Sequence, residues 1–174
     1  MPYLTAAVVL VGLLCSANTV LLLGVVRRLR EHENRLPPPA EPSLGLPAPG
    51  SALPSFASVT TAGEPVTSAN LPLPAVVAFF DVACEPCRDK APRFARELSD
   101  HPGLNALAVV IGEAGAMSAT LEAACRVVVE PSDGTLVRAF GVRGFPAMCL
   151  LDERGVVVQA GQDLGLAPAA GARG

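Results

Sequence analysis

Ala75-Val76-Val77-Ala78-Phe79-Phe80-Asp81-Val82-Ala83-Cys84-Glu85-Pro86-Cys87-Arg88-Asp89-Lys90-Ala91-Pro92 is the stretch that decides how this 174-residue chain folds. Its first six residues are all apolar and rich in β-branched and aromatic types, the signature of a short buried strand. Beyond Cys87 the pattern changes period. Ala91, Phe94, Ala95 and Leu98 recur at helical spacing, while Arg88, Asp89, Lys90, Arg93, Arg96 and Glu97 take the opposite face. The two cysteines of Cys-Glu-Pro-Cys therefore sit where a strand becomes a helix. The spacing alone is a weak signal in a chain with five Cys, but this location gives it chemistry.

At a helix start the first thiol meets unpaired backbone N–H groups and the positive end of the helix dipole, both of which favour a thiolate. Cys84 is the expected nucleophile. Cys87, one turn on and more enclosed, is placed to attack a mixed disulfide on Cys84 and release the partner's thiol. Pro86 has a φ suited to the first helical turn, where its missing N–H costs nothing. Glu85 acts in the other direction, because a carboxylate beside Cys84 disfavours a second negative charge. A milder thiolate than that of the strongest oxidants is expected.

The segment Phe79–Pro92 resembles the active-site stretch of thioredoxin-fold oxidoreductases, and is most similar to the membrane-tethered thiol-disulfide oxidoreductases of the TlpA and ResA type. Those proteins place Glu-Pro between the cysteines and a proline five residues after the second, here Pro92, an expected kink. A downstream segment, Ala139-Phe-Gly-Val-Arg-Gly-Phe-Pro146, with Ala147–Val158 after it, resembles the family's glycine-valine turn, cis-proline loop and following hairpin. The resemblance implies that Pro146 lies against Cys84. A cis-proline there leaves a backbone edge free to pair with an extended, peptide-like substrate. The catalytic set so implied is Cys84, Cys87, Glu85, Pro86 and Pro146, with the Cys84–Cys87 disulfide as the redox group and no other cofactor or metal.

Departures from the family pattern bear on the site. Ala83 stands where these proteins often carry Trp, and Phe145 where Thr is common. Ala78 occupies the place of a buried polar residue, so no side chain there accepts a proton from Cys87; water or Glu85 is left for that task. The tail 162–174 holds three Gly, one Pro and little periodicity, a poor match to the family's last helix.

Mean hydropathy is +0.44, raised by residues 4–26, which carry no charge. As a helix this stretch is roughly 34 Å long, enough for a hydrocarbon core of about 30 Å. A cleaved signal peptide is the competing reading, but no Lys or Arg precedes the apolar run and no small-x-small site ends it. We read a transmembrane anchor with its basic flank over residues 1–30, Cys15 being a lipid-facing or packing residue within it. Arg27, Arg28, Arg30 and Arg35 follow the span and favour a cytoplasmic domain. The family resemblance instead implies a redox domain outside the plasma membrane, and that side is the expectation adopted.

Residues 31–54 read as a Pro-rich juxtamembrane linker, since seven prolines fall between 36 and 54. Extended at about 3.1 Å per residue, nineteen such residues reach roughly 60 Å. Residues 55–161 are the expected thioredoxin-like domain, of a size for one core. The expected order is a hairpin within 55–68 turning at 62–64, strand 75–80, helix 86–99, strand 106–111, helix 116–125, strand 126–129, a helix near 133–140, and strands 147–152 and 155–160. This alternation implies an α/β fold with a central mixed β-sheet flanked by helices.

Cys125 and Cys149 open or lie inside apolar runs and read as buried residues, with a disulfide between them left open. His32 and His101 read as solvated and are not spaced as ligands; zinc is not expected, because one clustered pair falls short of four ligands. A net charge of −3, with acidic residues among the basic ones, gives no nucleic-acid footprint. Expected partners are protein thiols or disulfides, the membrane through residues 4–26, and an electron-donor redox protein. If the resemblance extends to physiology, apocytochrome c is a candidate substrate. Reduction is favoured over oxidation, because Glu85 does not suit an extreme oxidant. A non-catalytic tethered binding domain is the alternative, allowed by Ala78, Ala83 and the short tail; a peroxidase lacks support, since the usual Thr-x-x-Cys is absent.

Overall fold

The computed structural model describes residues 44–164, with the isolated positions 3, 12 and 18 besides. The chain divides into two compact units, Met1–Glu41 and Pro42–Gly174, and all elements named below belong to the second. The anchor expected over 4–26 lies outside the described residues; among those described, no helix is long and apolar enough to cross a membrane.

A short antiparallel hairpin, β1 (Ala57–Val59) and β2 (Pro65–Thr67), precedes the main sheet. Then follow β3 (Ala75–Asp81), α1 (Glu85–Ser99), β4 (Asn105–Ile111), α2 (Ala116–Glu122), β5 (Arg126–Glu130), α3 (Thr135–Phe140), β6 (Ala147–Leu151) and β7 (Val157–Gly161). The five strands lie in the order β5-β4-β3-β6-β7. β3, β4 and β5 are parallel, β6 pairs antiparallel to β3, and β7 pairs antiparallel to β6 and so runs in the direction of β3. This is the thioredoxin-like α/β fold with a mixed central sheet.

β3 is central and buried on both faces, which is why its sequence is a continuous apolar run rather than an alternation. Alternation survives in the way its residues divide between layers. Ala75, Val77 and Phe79 join Leu107, Val109, Leu136, Phe140 and Cys149 on one face. Val76, Ala78 and Phe80 join Cys87, Phe94, Leu98, Val110, Leu121 and Met148 on the other. Tilted aromatic pairs mark each layer: Phe79–Phe140, with ring centroids 5.2 Å apart, and Phe80–Phe94, at 5.6 Å. Cys149 and Cys125 consequently pack on opposite faces of the sheet, so they do not pair.

Two boundaries differ from the sequence expectation. Residues 44–54, assigned to the linker, dock on the domain: Gly50 N–H donates to the Val157 carbonyl at 2.7 Å and Leu53 N–H to Gly155 at 2.8 Å. Proline does favour an extended backbone here, but Leu44, Leu46 and Leu53 bury apolar surface against the core and hold that backbone down. At the other end Leu164, assigned to the tail, is buried in the α1 layer, beside an ion pair between Lys90 and Asp163. α2 is also shorter than expected, ending at Glu122, with the Ala124 and Cys125 N–H groups closing on the Leu121 carbonyl.

α3 has Gly134 at its N-cap and no side chain capping from that position. Buried Glu130 performs this task from the end of β5, accepting from Leu136 N–H at 3.2 Å and Val137 N–H at 2.8 Å. Glu130→Ala leaves both donors without an acceptor and is expected to lower stability by about 1–3 kcal/mol in urea unfolding. Glu130→Gln, which keeps an acceptor oxygen, should recover part of that loss.

Burial also gives the structural thiols a pH signature. It pushes Cys149 up from 9.0 to about 11 and Cys125 up to about 12, the latter against a lowering backbone hydrogen bond from Ala108. The unfolded chain releases these protons near 9.0 and the folded chain only at about 11 to 12, so their contribution is full below 9.0 and is lost as pH rises through that window. Urea midpoints followed across it should decline, and Cys149→Ala should flatten the decline.

Candidate functional site

The site forms where β3 ends at the carboxyl edge of the parallel strands. Asp81 closes the strand and builds the turn: its carboxylate accepts from Ala83 N–H at 2.7 Å and its carbonyl from Cys84 N–H at 3.1 Å. Val82 N–H meanwhile donates to the Ile111 carbonyl at 3.1 Å, tying the turn to β4. α1 then starts with Cys84 as N-cap residue, in an extended conformation, and Pro86 in its first turn. The helix is continuous to Ser99 through Pro92.

Cys84 is half-buried, and its sulfur makes no capping bond to the helix. It donates instead to the Phe145 carbonyl at 3.5 Å. The Phe145–Pro146 peptide is cis, as the resemblance implied, and Pro146 is buried. A second cis peptide, Leu73–Pro74, precedes β3 and was not foreseen. The structure thus brings Cys84, Cys87 and the Phe145–Pro146 loop together from segments about sixty residues apart.

Cys87 is fully buried, in the same layer as Ala78, Phe80 and Ala91. Its thiol is pushed up from 9.0 to about 12, chiefly by burial and then by its hydrogen bond to Cys84. The Asp81 backbone N–H works in the lowering direction, and the charges of Cys84 and Asp81 raise it further. Ala78 has no polar atom to offer, as its sequence position indicated. Glu85 and Pro86 are exposed in the first turn of α1, and the carboxylate that bears on Cys87 is that of Asp81, not Glu85. Sequence reasoning passed over Asp81. The signal was present as a lone acid ending an apolar strand three residues before the first cysteine. His101 Nδ1–H donates to the Glu97 carbonyl at 2.8 Å, at the far end of α1 from the dithiol.

An α/β sheet of this order, with a dithiol at the β3–α1 junction and a cis-proline loop against it, defines a thioredoxin-like redox domain. The AhpC/TSA family model matches residues 49–160, and the chain belongs to the AhpC/TSA family. Among solved structures it is similar to a Chlorobium tepidum protein described as a candidate thiol:disulfide interchange protein DsbE. That protein is 26% identical with a TM-score of 0.55, the match covering 65% of this chain and 84% of the other. A secreted Mycobacterium tuberculosis disulfide oxidoreductase homologous to E. coli DsbE matches at 21% identity and TM-score 0.54, over 63% and 84% of the two chains. A thio-disulfide isomerase from Thermus thermophilus matches at 24% and 0.53, over 66% and 85%. The latter two share the fold. No curated protein matches the chain.

The two thiols should separate in chemical labelling. At about pH 7, limiting iodoacetamide is expected to modify Cys84 and to spare Cys87, which is both buried and protonated. Asp81→Asn removes a raising charge, so alkylation of Cys87 in a Cys84→Ser background should move to lower pH, as read by mass spectrometry. No movement would show that the Asp81 charge does not reach the sulfur.

Proposed function

We propose that the protein is a membrane-tethered thiol-disulfide oxidoreductase of the TlpA/ResA type that exchanges the Cys84/Cys87 dithiol with protein disulfides. The observation that carries this reading is the arrangement of the two sulfurs: Cys84 is partly exposed and bonded to the Phe145 carbonyl, with Cys87 buried behind it.

The Cys84 thiolate attacks one sulfur of a substrate disulfide. A Cys84–substrate disulfide forms, the substrate S–S bond breaks, and the departing thiolate takes up a proton. Cys87 then gives up its proton and attacks Cys84 Sγ, forming the Cys84–Cys87 disulfide and releasing the second substrate thiolate. Two electrons pass from the dithiol to the substrate, and a donor redox protein returns them by the same steps in reverse. Burial of Cys87 delays the second attack until the substrate occupies Cys84, because until then the buried thiol has no electrophile.

The reductase direction is favoured. A strong oxidant is one whose reduced form is stabilised by an ionised thiol, and the Glu85 carboxylate next to Cys84 opposes a second negative charge there, which does not suit an extreme oxidant. Tethering rests on residues 4–26 and on the basic residues after them, and an extracytoplasmic side rests on the family resemblance alone. Substrates are protein disulfides approached along the Phe145–Pro146 loop, with apocytochrome c among the candidates.

The full-length protein in detergent should catalyse dithiothreitol-dependent insulin reduction and equilibrate a Cys84–Cys87 disulfide with glutathione. Cys84→Ser is expected to abolish turnover. Cys87→Ser should retain the first attack and accumulate mixed disulfides on Cys84, visible on non-reducing gels. A wild-type protein that forms no reversible disulfide at any glutathione ratio would exclude the enzyme reading.

A further inference from the structure

Residues 44–53 form an arm that engages the domain at two places. Its later half lies against β7: Val157 N–H donates to the Ser51 carbonyl at 2.9 Å, and Ala52 bridges Val156 in antiparallel register. Its first residues reach the run that leads into the Phe145–Pro146 loop. Arg143 N–H donates to the Leu44 carbonyl at 2.7 Å. The Leu44 side chain is buried in the core layer that holds Phe140, Val142 and Ala147, and its Cδ2 lies 3.2 Å from where a Cβ on Gly144 would stand.

The tightest contact is between two backbones. Gly45 has φ +74°, and a Cβ on it would stand 1.8 Å from the Gly141 carbonyl oxygen. Gly141 itself caps α3 with φ +68°, and a Cβ there would come 2.8 Å from the Gly45 oxygen. Both residues require the left-handed region, and both lack the atom that would force the segments apart. The arm therefore grips Gly141, Arg143 and Gly144 in succession. The next residue, Phe145, packs against both core layers and presents its carbonyl to Cys84.

We propose that Leu44 and Gly45 are positioning residues for protein-disulfide exchange. By holding the run Gly141–Gly144, they set where the Phe145–Pro146 loop stands beside Cys84. This rests on the oxidoreductase reading above and adds a specificity to it. A protein disulfide has to align its flanking chain along that loop, so its exchange depends on the arm. A small disulfide needs only access to the Cys84 sulfur, so its exchange does not.

The test compares two disulfides with the reduced full-length protein. Insulin serves as the protein disulfide and Ellman's reagent as the small one, with thermal melting recorded for each variant. Gly45→Ala is expected to slow insulin reduction about tenfold or more, on the scale of an ångström-sized misplacement. The rate with Ellman's reagent should stay within about twofold of wild type. Leu44→Val should shift the ratio of the two rates in the same direction by less, and it decides the matter if Gly45→Ala does not fold. Ser51→Ala, at the β7 end of the arm, should leave the ratio unchanged.

A folded Gly45→Ala or Leu44→Val protein with an unaltered ratio overturns the proposal, as does a proportional loss with both disulfides, which marks a purely structural role. These outcomes leave the oxidoreductase reading standing. A wild-type protein that reduces neither disulfide removes both.

Discussion

The turn from β3 into α1 is the constraint on which the rest of the site depends. Asp81 satisfies two successive backbone donors, Ala83 N–H with its carboxylate and Cys84 N–H with its carbonyl, and so bends the chain out of the sheet within three residues. A helix start ordinarily recruits a Ser, Thr, Asp or Asn side chain to bond its free N–H groups. Here the N-cap residue is a cysteine whose sulfur makes no such bond. Pro86 reduces the need for one, since it brings no N–H to the first turn. The Cys84 sulfur is left free to face the Phe145 carbonyl and an incoming partner.

The same junction makes the two thiols unequal. They are one helical turn apart in sequence, yet Cys84 stands at the rim while Cys87 faces the layer of Val76, Ala78 and Phe80. Desolvation then separates their chemistry without any dedicated side-chain base. Asp81 contributes with opposing signs, its backbone N–H favouring a Cys87 thiolate and its charge opposing one. A residue that looks like turn punctuation is thereby part of the electrostatics of the dithiol.

Much of this was legible in the residues. Strand and helix periods located β3 and α1 to within a residue, because each is a long, uniform pattern with a cysteine pair as punctuation. The roles of Cys84, Cys87 and Pro146 as neighbours followed from two segments with family-like spacing. What escaped notice was non-local. Composition reads Leu44–Pro54 as an extended spacer, and extended it is, but no local pattern says that an extended segment will find β7 and the end of α3. Glu130 reads as an ordinary strand-end charge until α3 folds its N-terminus onto it. Asp81 gains its meaning only when Cys87, six residues later, turns back beneath it.

The two ends of the described domain show how so short a chain covers both faces of its sheet. Leu44 enters the layer of Phe79 and Phe140, and Leu164 enters the layer of Phe80 and Phe94. Each is brought in by a segment without helix, and each lies close to a part of the site: Leu44 beside the loop before Pro146, Leu164 beside α1. Burying such a side chain is worth about 2 kcal/mol, a sizeable share of the stability of a domain this size. The segments flanking the redox domain therefore serve as its outermost core. Cutting the chain at the composition boundaries, after Pro54 or before Gln162, would remove core residues together with the supports of the loop and helix that hold the sulfurs.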